Sequence, residues 1–104
     1  MTMMGARQAR RYFVQGRVQG VGFRYWTIGR ARKLGLVGWV RNCRDGSVEL
    51  LAAGTQDSLD ALAAALWGGP PAAKVLKVET GPVSAAEISG LAALAGFEQV
   101  ATAN

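Results

Sequence analysis

Histidine is absent from this chain of 104 residues, and cysteine occurs once, as Cys43. Without histidine there is no Ser-His-Asp or Cys-His machinery and no phosphohistidine intermediate, and one cysteine cannot supply the ligands of an ordinary zinc site. A single cysteine also excludes an internal disulfide, which fits a reducing compartment. The seven acidic residues are scattered and suggest no paired acid and base. The composition therefore predicts a protein without a bound metal.

Long apolar runs are missing as well. No apolar stretch reaches the roughly 18 residues that a membrane-spanning helix needs, and residues 1–11 lack the apolar centre of a signal peptide. We therefore expect a soluble, cytoplasmic protein with no membrane partner. The length and the hydrophobic half of the composition suit one domain and leave no room for a second. A net charge of +5 favours an anionic partner, either a small phosphate compound or nucleic acid.

The hydrophobic pattern changes period several times along the chain. A two-residue alternation is typical of a half-buried strand, whereas apolar residues three and four positions apart indicate a helix. The predicted elements, in chain order, are a strand over 11–18, a helix over 23–34, strands over 36–43 and 47–54, a helix capped by Thr55, a strand over 74–79 and a short last strand over 97–101.

This order predicts an α+β fold of the ferredoxin-like, split βαβ type. Residues 44–46 form a polar turn, so the two strands that flank it should pair antiparallel. Residues 81–96 are rich in Gly, Ala and Ser, and we expect a loop or a short helix there. Residues 1–9 are expected to be a disordered leader, followed by a single domain over 10–104.

A glycine-rich turn joins the first predicted strand to the first helix. It reads Gly16-Arg17-Val18-Gln19-Gly20-Val21-Gly22-Phe23-Arg24. Glycine allows a positive φ and a close approach of the backbone to a ligand, and the helix start adds unpaired N–H groups. The guanidinium of Arg24 matches two phosphate oxygens at once. The turn is either an anion site or a plain structural connection, and its spacing does not match a nucleotide-binding motif.

Together with two later segments, this turn resembles the acylphosphatase family. The later segments are Gly35-Leu36-Val37-Gly38-Trp39-Val40-Arg41-Asn42 and Asp45-Gly46-Ser47-Val48-Glu49, and the resemblance spans residues 10–79. It implies two helices packed on one face of a four- to five-stranded antiparallel sheet, in a monomer without metal or organic cofactor. It also implies hydrolysis of the carboxyl–phosphate bond of a small acyl phosphate, with inorganic phosphate as a product.

The resemblance assigns roles to individual residues. The family's phosphate-binding arginine corresponds to Arg24 and its water-positioning asparagine to Asn42. The phosphate-binding loop corresponds to Gln19, Gly20, Val21, Gly22 and Phe23, whose backbone N–H groups would surround the phosphoryl oxygens; for Gln19 we favour the backbone N–H over the side chain. Cys43 stands where the family often has threonine, and without a histidine to activate it we interpret it as a small residue at a strand end.

Three alternative functions remain. One is a non-catalytic anion-binding domain, which the presence of both Arg24 and Asn42 disfavours. Another is an accessory module that handles carbamoyl phosphate within larger maturation enzymes; such modules precede further domains, and none is expected after Asn104. The third is a basic nucleic-acid-binding domain of the same topology, which is disfavoured because Val48-Glu49-Leu50-Leu51-Ala52-Ala53 contains no aromatic residue for base stacking.

Overall fold

The structure is a computed structural model, and it describes residues 7–103. The predicted order of strand, helix, strand, strand, helix, strand and a short last strand is confirmed, and a further helix precedes that last strand. The elements are β1 (Gln8–Arg17), α1 (Phe23–Lys33), β2 (Val37–Asn42), β3 (Val48–Gly54), α2 (Gln56–Gly68), β4 (Lys74–Gly81), α3 (Ala85–Ala92) and β5 (Phe97–Gln99).

The five strands form one sheet in the order β4-β1-β3-β2-β5. β1 pairs antiparallel with β3 and β4, and β2 pairs antiparallel with β3, which confirms the predicted α+β class and split βαβ core. β5 pairs parallel with β2, so the sheet is mixed and not wholly antiparallel. The reason is topological: β5 lies at the opposite edge from β4 and begins at the end of the sheet where β4 finishes, so the chain crosses the sheet before it pairs again.

α1 and α2 pack on one face of the sheet, where most of the core lies. α2 packs through an apolar stripe in which Leu59, Leu62 and Leu66 are fully buried. Thr55 caps this helix as predicted, since its Oγ1 accepts a hydrogen bond from Ser58 N at 3.2 Å. The strands contribute inward-facing side chains from alternate positions, namely Tyr12, Val14, Val40, Val48, Leu50 and Ala52.

α3 packs on the opposite face of the sheet, where no helix was expected. Its Leu91 is buried against Leu51 and Ala53 of β3, and Trp39 of β2 packs at the margin of this cluster. The segment over 81–96 is therefore a short helix flanked by loops, one of the two predicted possibilities. The single buried position of α3 explains why its helical period is weak in the sequence.

A network of ion pairs links β1, β2, β3 and α3 on the face of the sheet that α3 covers. The carboxylate of Glu49, only 5% exposed, accepts hydrogen bonds from Arg11 Nε at 2.9 Å and from Arg41 Nε at 2.8 Å. Arg11 also forms an ion pair with Glu87 of α3. Each buried charge thus has an opposite charge beside it, as the low-polarity interior requires. The network anchors Arg41, and with it the end of β2 that carries Asn42.

The N-terminal boundary differs from the expected one. Gln8 and Ala9, assigned to the leader, belong to β1 and pair with Gly54 and Ala53. Arg7 lies just before β1, and the rest of the expected leader, residues 1–6, lies outside the described residues. Within residues 7–103, no helix combines the length and the apolar character that a membrane crossing demands.

Candidate active site

The turn between β1 and α1 owes its shape to glycine. Gly20 and Gly22 have φ values of 74° and 79°, in the left-handed region that other residues rarely adopt. A Cβ built on either glycine would meet no atom within 4 Å. The backbone conformation therefore requires these glycines, and the space around the turn is open to a ligand.

The N-terminus of α1 begins at this turn without a cap. Gly22, which has no side chain to cap the helix, occupies the N-cap position, and no acidic residue lies in the first turn. The first backbone N–H groups of a helix have no partner within the helix, and its dipole places partial positive charge there. The end of α1 is thus suited to an anion.

A small cavity of about 130 Å³ opens in front of this helix end. It brings together residues of the turn, of α1, of β2 and of β5. The lining residues are Val18, Gly20, Gly22, Phe23, Arg24, Tyr25, Asn42 and Gln99. Of the predicted site residues, only Gln19 and Val21 do not line the cavity.

Arg24 contributes a positive charge to the cavity. It is the second residue of α1, and none of the ion pairs formed within residues 7–103 includes it. Arg11 and Arg41, by contrast, are both paired with Glu49. The guanidinium of Arg24 is therefore available to an anion in the cavity.

Asn42 contributes an unpartnered acceptor. It is the last residue of β2, and its backbone oxygen accepts a hydrogen bond from Ala103 N at 3.0 Å. Its side-chain Oδ1 is buried and, within the described part of the chain, has no hydrogen-bond partner. Because a buried acceptor left unpaired costs about 1–3 kcal/mol, this oxygen indicates a ligand that donates a hydrogen bond.

Gln19 connects the glycine turn to the end of β2. Its side-chain Nε2 donates to Cys43 O at 2.7 Å and to Ser47 O at 2.9 Å. Both amide hydrogens are therefore committed to the β2–β3 turn and cannot reach a bound anion. Val21 is partly buried against the main core, which holds the middle of the glycine turn in place.

Cys43 lies beside the cavity but not in it. Its Sγ is 3.7 Å from Glu49 Oε1, and its backbone N–H donates to Ser47 O at 2.9 Å. Burial raises the pKa of the Cys43 thiol, with the nearby Glu49 carboxylate acting in the same direction. A neutral thiol is a poor nucleophile, which favours the structural interpretation of this residue.

Three lining residues, Val18, Tyr25 and Gln99, are not among the predicted site residues, although Val18 belongs to the glycine-rich turn. Gln99 belongs to a strand of three residues, and only its parallel pairing with β2 brings it to the cavity. No local pattern announces such a pairing. Tyr25 did carry a signal, since it is a large aromatic residue directly after Arg24 at a helix start. Among residues 7–103, no cluster of three or more His, Cys, Asp or Glu could hold a metal ion.

The acylphosphatase family model matches residues 10–93. The chain belongs to the acylphosphatase family. An acylphosphatase from Nitrobacter hamburgensis is 55% identical over 76 residues, which cover 73% of this chain and 77% of that protein. One from Nitrobacter winogradskyi is 43% identical over 93 residues, covering 89% of this chain and 94% of its relative.

The solved structures agree with the sequence relatives. The crystal structure of acylphosphatase from Bacillus subtilis matches with a TM-score of 0.77 and 39% sequence identity, covering 88% of this chain and 97% of that one. The resemblance predicted from residues 10–79 is thereby confirmed, and it extends beyond β4 into α3.

Proposed function

We propose that this protein hydrolyses the carboxyl–phosphate bond of acyl phosphates and releases a carboxylate and inorganic phosphate. One observation carries the proposal: Arg24, the uncapped start of α1 and Asn42, whose Oδ1 has no hydrogen-bond partner among residues 7–103, line the same cavity. Membership of the acylphosphatase family supports the same reaction.

The phosphoryl group binds at the start of α1. Arg24 offers a planar pair of donors, and the backbone N–H groups of residues 19–23 supply further donors for the phosphoryl oxygens. In phosphoryl transfer, negative charge spreads over the three equatorial oxygens of the transition state. Fixed donors around these oxygens stabilise that charge without having to reorganise during the reaction.

Asn42 positions the attacking water. Its Oδ1 accepts a hydrogen bond from the water and thereby fixes the direction of the oxygen lone pair toward phosphorus. An amide is not a base, so the proton released as the new P–O bond forms passes to a phosphoryl oxygen or to solvent. The rate of hydrolysis rises because the water is held in line with the breaking bond.

The leaving group requires no acid. The conjugate acid of a carboxylate has a pKa of roughly 4, so at neutral pH it departs as an anion. Positioning and electrostatic stabilisation are therefore sufficient, and the scheme calls for neither a metal nor an organic cofactor.

The same observations weigh against the alternatives. A site that only holds an anion gains nothing from the amide oxygen of Asn42, because an acceptor oxygen repels negative charge. The buried Oδ1 of Asn42 therefore favours hydrolysis over an anion-binding or carbamoyl-phosphate-handling module. Every residue of β3 is buried, so this strand offers no exposed surface for stacking bases. We further propose that the protein acts in the cytoplasm as a monomer that binds no nucleic acid.

The decisive experiment compares the wild type with Asn42→Ala on benzoyl phosphate, with p-nitrophenyl phosphate as a less activated substrate. We expect fast turnover of the acyl phosphate alone, and a collapse of kcat in Asn42→Ala with nearly unchanged inhibition by inorganic phosphate. Gln15→Ala, which alters an exposed amide on β1 outside the cavity, serves as the matched control and should match the wild type.

Two results would count against the scheme. A folded wild type that hydrolyses no acyl phosphate would favour an anion-binding role. Equal loss of turnover and of phosphate inhibition in Asn42→Ala would mean that Asn42 shapes the pocket and does not direct water.

A further inference from the structure

The size of the cavity limits which part of a substrate it can hold. Its volume is about 130 Å³. In the proposed scheme the phosphoryl group and its attacking water occupy this small cavity, because Arg24, the start of α1 and Asn42 line it. The acyl group must therefore extend through the mouth of the cavity.

The geometry of displacement sets the direction in which it extends. Attack and departure lie on opposite sides of phosphorus. In the proposed scheme the water lies at Asn42, whose Oδ1 is buried, and attacks from that side of the cavity. The leaving oxygen and its acyl group then point toward solvent, past the exposed residues of the lining. These are the glycines of the turn, Tyr25 and Gln99.

Tyr25 is the large apolar group at this mouth. It is 85% exposed, the most exposed of the large hydrophobic residues, although it lies in the first turn of α1 beside the half-buried Arg24. Its neighbour Trp26 differs: the Trp26 ring packs 5.4 Å from the ring of Phe23 and against the main core. Packing therefore accounts for Trp26 but not for an aromatic residue at position 25.

We infer that Tyr25 is a specificity-determining residue that contacts the acyl group and favours aromatic acyl phosphates over small ones. This inference rests on the proposed function. An acyl group that leaves the cavity lies against the ring of Tyr25, where an aromatic group gains both apolar burial and ring contact. An acetyl group is too short to cover the ring. Discrimination thus arises outside the phosphate-binding part of the site.

The test measures kcat/KM for benzoyl phosphate and acetyl phosphate in the wild type, Tyr25→Ala and Tyr25→Phe. Tyr25→Ala should lower kcat/KM for benzoyl phosphate about three- to tenfold, mainly through KM, which is the range of one aromatic contact. Acetyl phosphate kinetics and inhibition by inorganic phosphate should not change. Tyr25→Phe should retain the wild-type preference. Trp67→Ala, which removes another exposed aromatic residue away from the cavity, is the matched control.

A second measurement reads the same contact without turnover. Benzylphosphonate and methylphosphonate carry the phosphorus group but no hydrolysable bond, and their dissociation constants report on the mouth directly. Tyr25→Ala should weaken benzylphosphonate binding and leave methylphosphonate binding unchanged. An unaltered preference in both measurements, or equal losses for large and small ligands, would overturn the inference. A wild type that binds both phosphonates but hydrolyses neither acyl phosphate would instead refute the proposed function.

Discussion

The three helices within residues 7–103 begin in two different ways. α2 starts at Thr55, whose side chain accepts a hydrogen bond from Ser58 N. α3 starts with a reciprocal capping box, in which Ser84 Oγ accepts from Glu87 N at 3.1 Å and Glu87 accepts from Ser84 N at 3.0 Å. α1 starts at Gly22 with no side-chain cap and no acidic residue in its first turn.

The capped helix starts contribute to stability, whereas the uncapped start of α1 is suited to binding a ligand. A side-chain cap contributes about 1 kcal/mol to a helix, and α1 forgoes it. The burial of Phe23, Thr27 and Ala31 holds α1 against the sheet without that contribution. The donors that a cap would satisfy stay available to a ligand. An uncapped helix start beside an unpaired arginine is therefore a better indicator of the site than either feature alone.

The largest expected effect concerns the open end of α1. Arg24→Lys keeps the charge but loses the paired donors, and a hydrogen bond to a charged group is worth about 1.5–3 kcal/mol. We expect kcat/KM for benzoyl phosphate to fall roughly 10- to 100-fold, with weaker inhibition by phosphate and an unchanged free energy of unfolding. Arg30→Lys, an exposed change on the same helix, is the control. If the kinetics of Arg24→Lys are unchanged, Arg24 does not bind the phosphoryl group through its paired donors.

The capped helix starts should respond in the opposite way. Thr55→Ala and Ser84→Ala should each lower the free energy of unfolding by about 1 kcal/mol, as measured by urea denaturation. Inhibition by inorganic phosphate should stay at the wild-type level in both. Ser89→Ala, at an exposed position inside α3, controls for the loss of a hydroxyl. Weaker phosphate binding in either cap variant would contradict the view that only the start of α1 binds the anion.

The capping box of α3 also predicts a dependence on pH. The backbone hydrogen bond from Ser84, followed by the charge of Arg11, lowers the pKa of Glu87 below its ordinary value. Stability from a carboxylate with a lowered pKa is fully present above its unfolded pKa, about 4.3, and is lost as the pH falls through the folded value. The wild type should therefore be more stable than Glu87→Gln at pH 7, and this difference should shrink below about pH 4. Unfolding at a series of pH values tests this, and a constant difference would contradict it.

The smallest expected effect lies beside the open helix start, at Cys43. Because burial raises the pKa of its thiol, native Cys43 should react more slowly with iodoacetamide at pH 8 than the same residue in urea. Alkylation rates followed by mass spectrometry give the comparison. If native Cys43 is alkylated as fast as in urea, or faster, its thiol is reactive and the residue is not merely structural.

Several features were predictable because neighbouring residues determine them. The cap at Thr55, the stripe of Leu59, Leu62 and Leu66, and the glycines at 20 and 22 all follow from preferences that act within a few residues. The motif around Arg24 and the segment ending at Asn42 were contiguous enough to indicate the family. By itself, then, the sequence determined the main elements, their order and the local shape of the glycine turn that precedes Arg24.

Contacts between residues far apart in the chain decided the remaining features of the fold and of the site. The parallel pairing of β5 with β2 brings Gln99 to the cavity and ties Ala103 to Asn42, although the last segment has almost no period of its own. α3 reaches the second face through one buried leucine. The tertiary structure also aims the amide of Gln19 at the β2–β3 turn and leaves Tyr25 at the cavity mouth. These features depend on strand register and on how the chain crosses the sheet, and residues far apart in the chain set both.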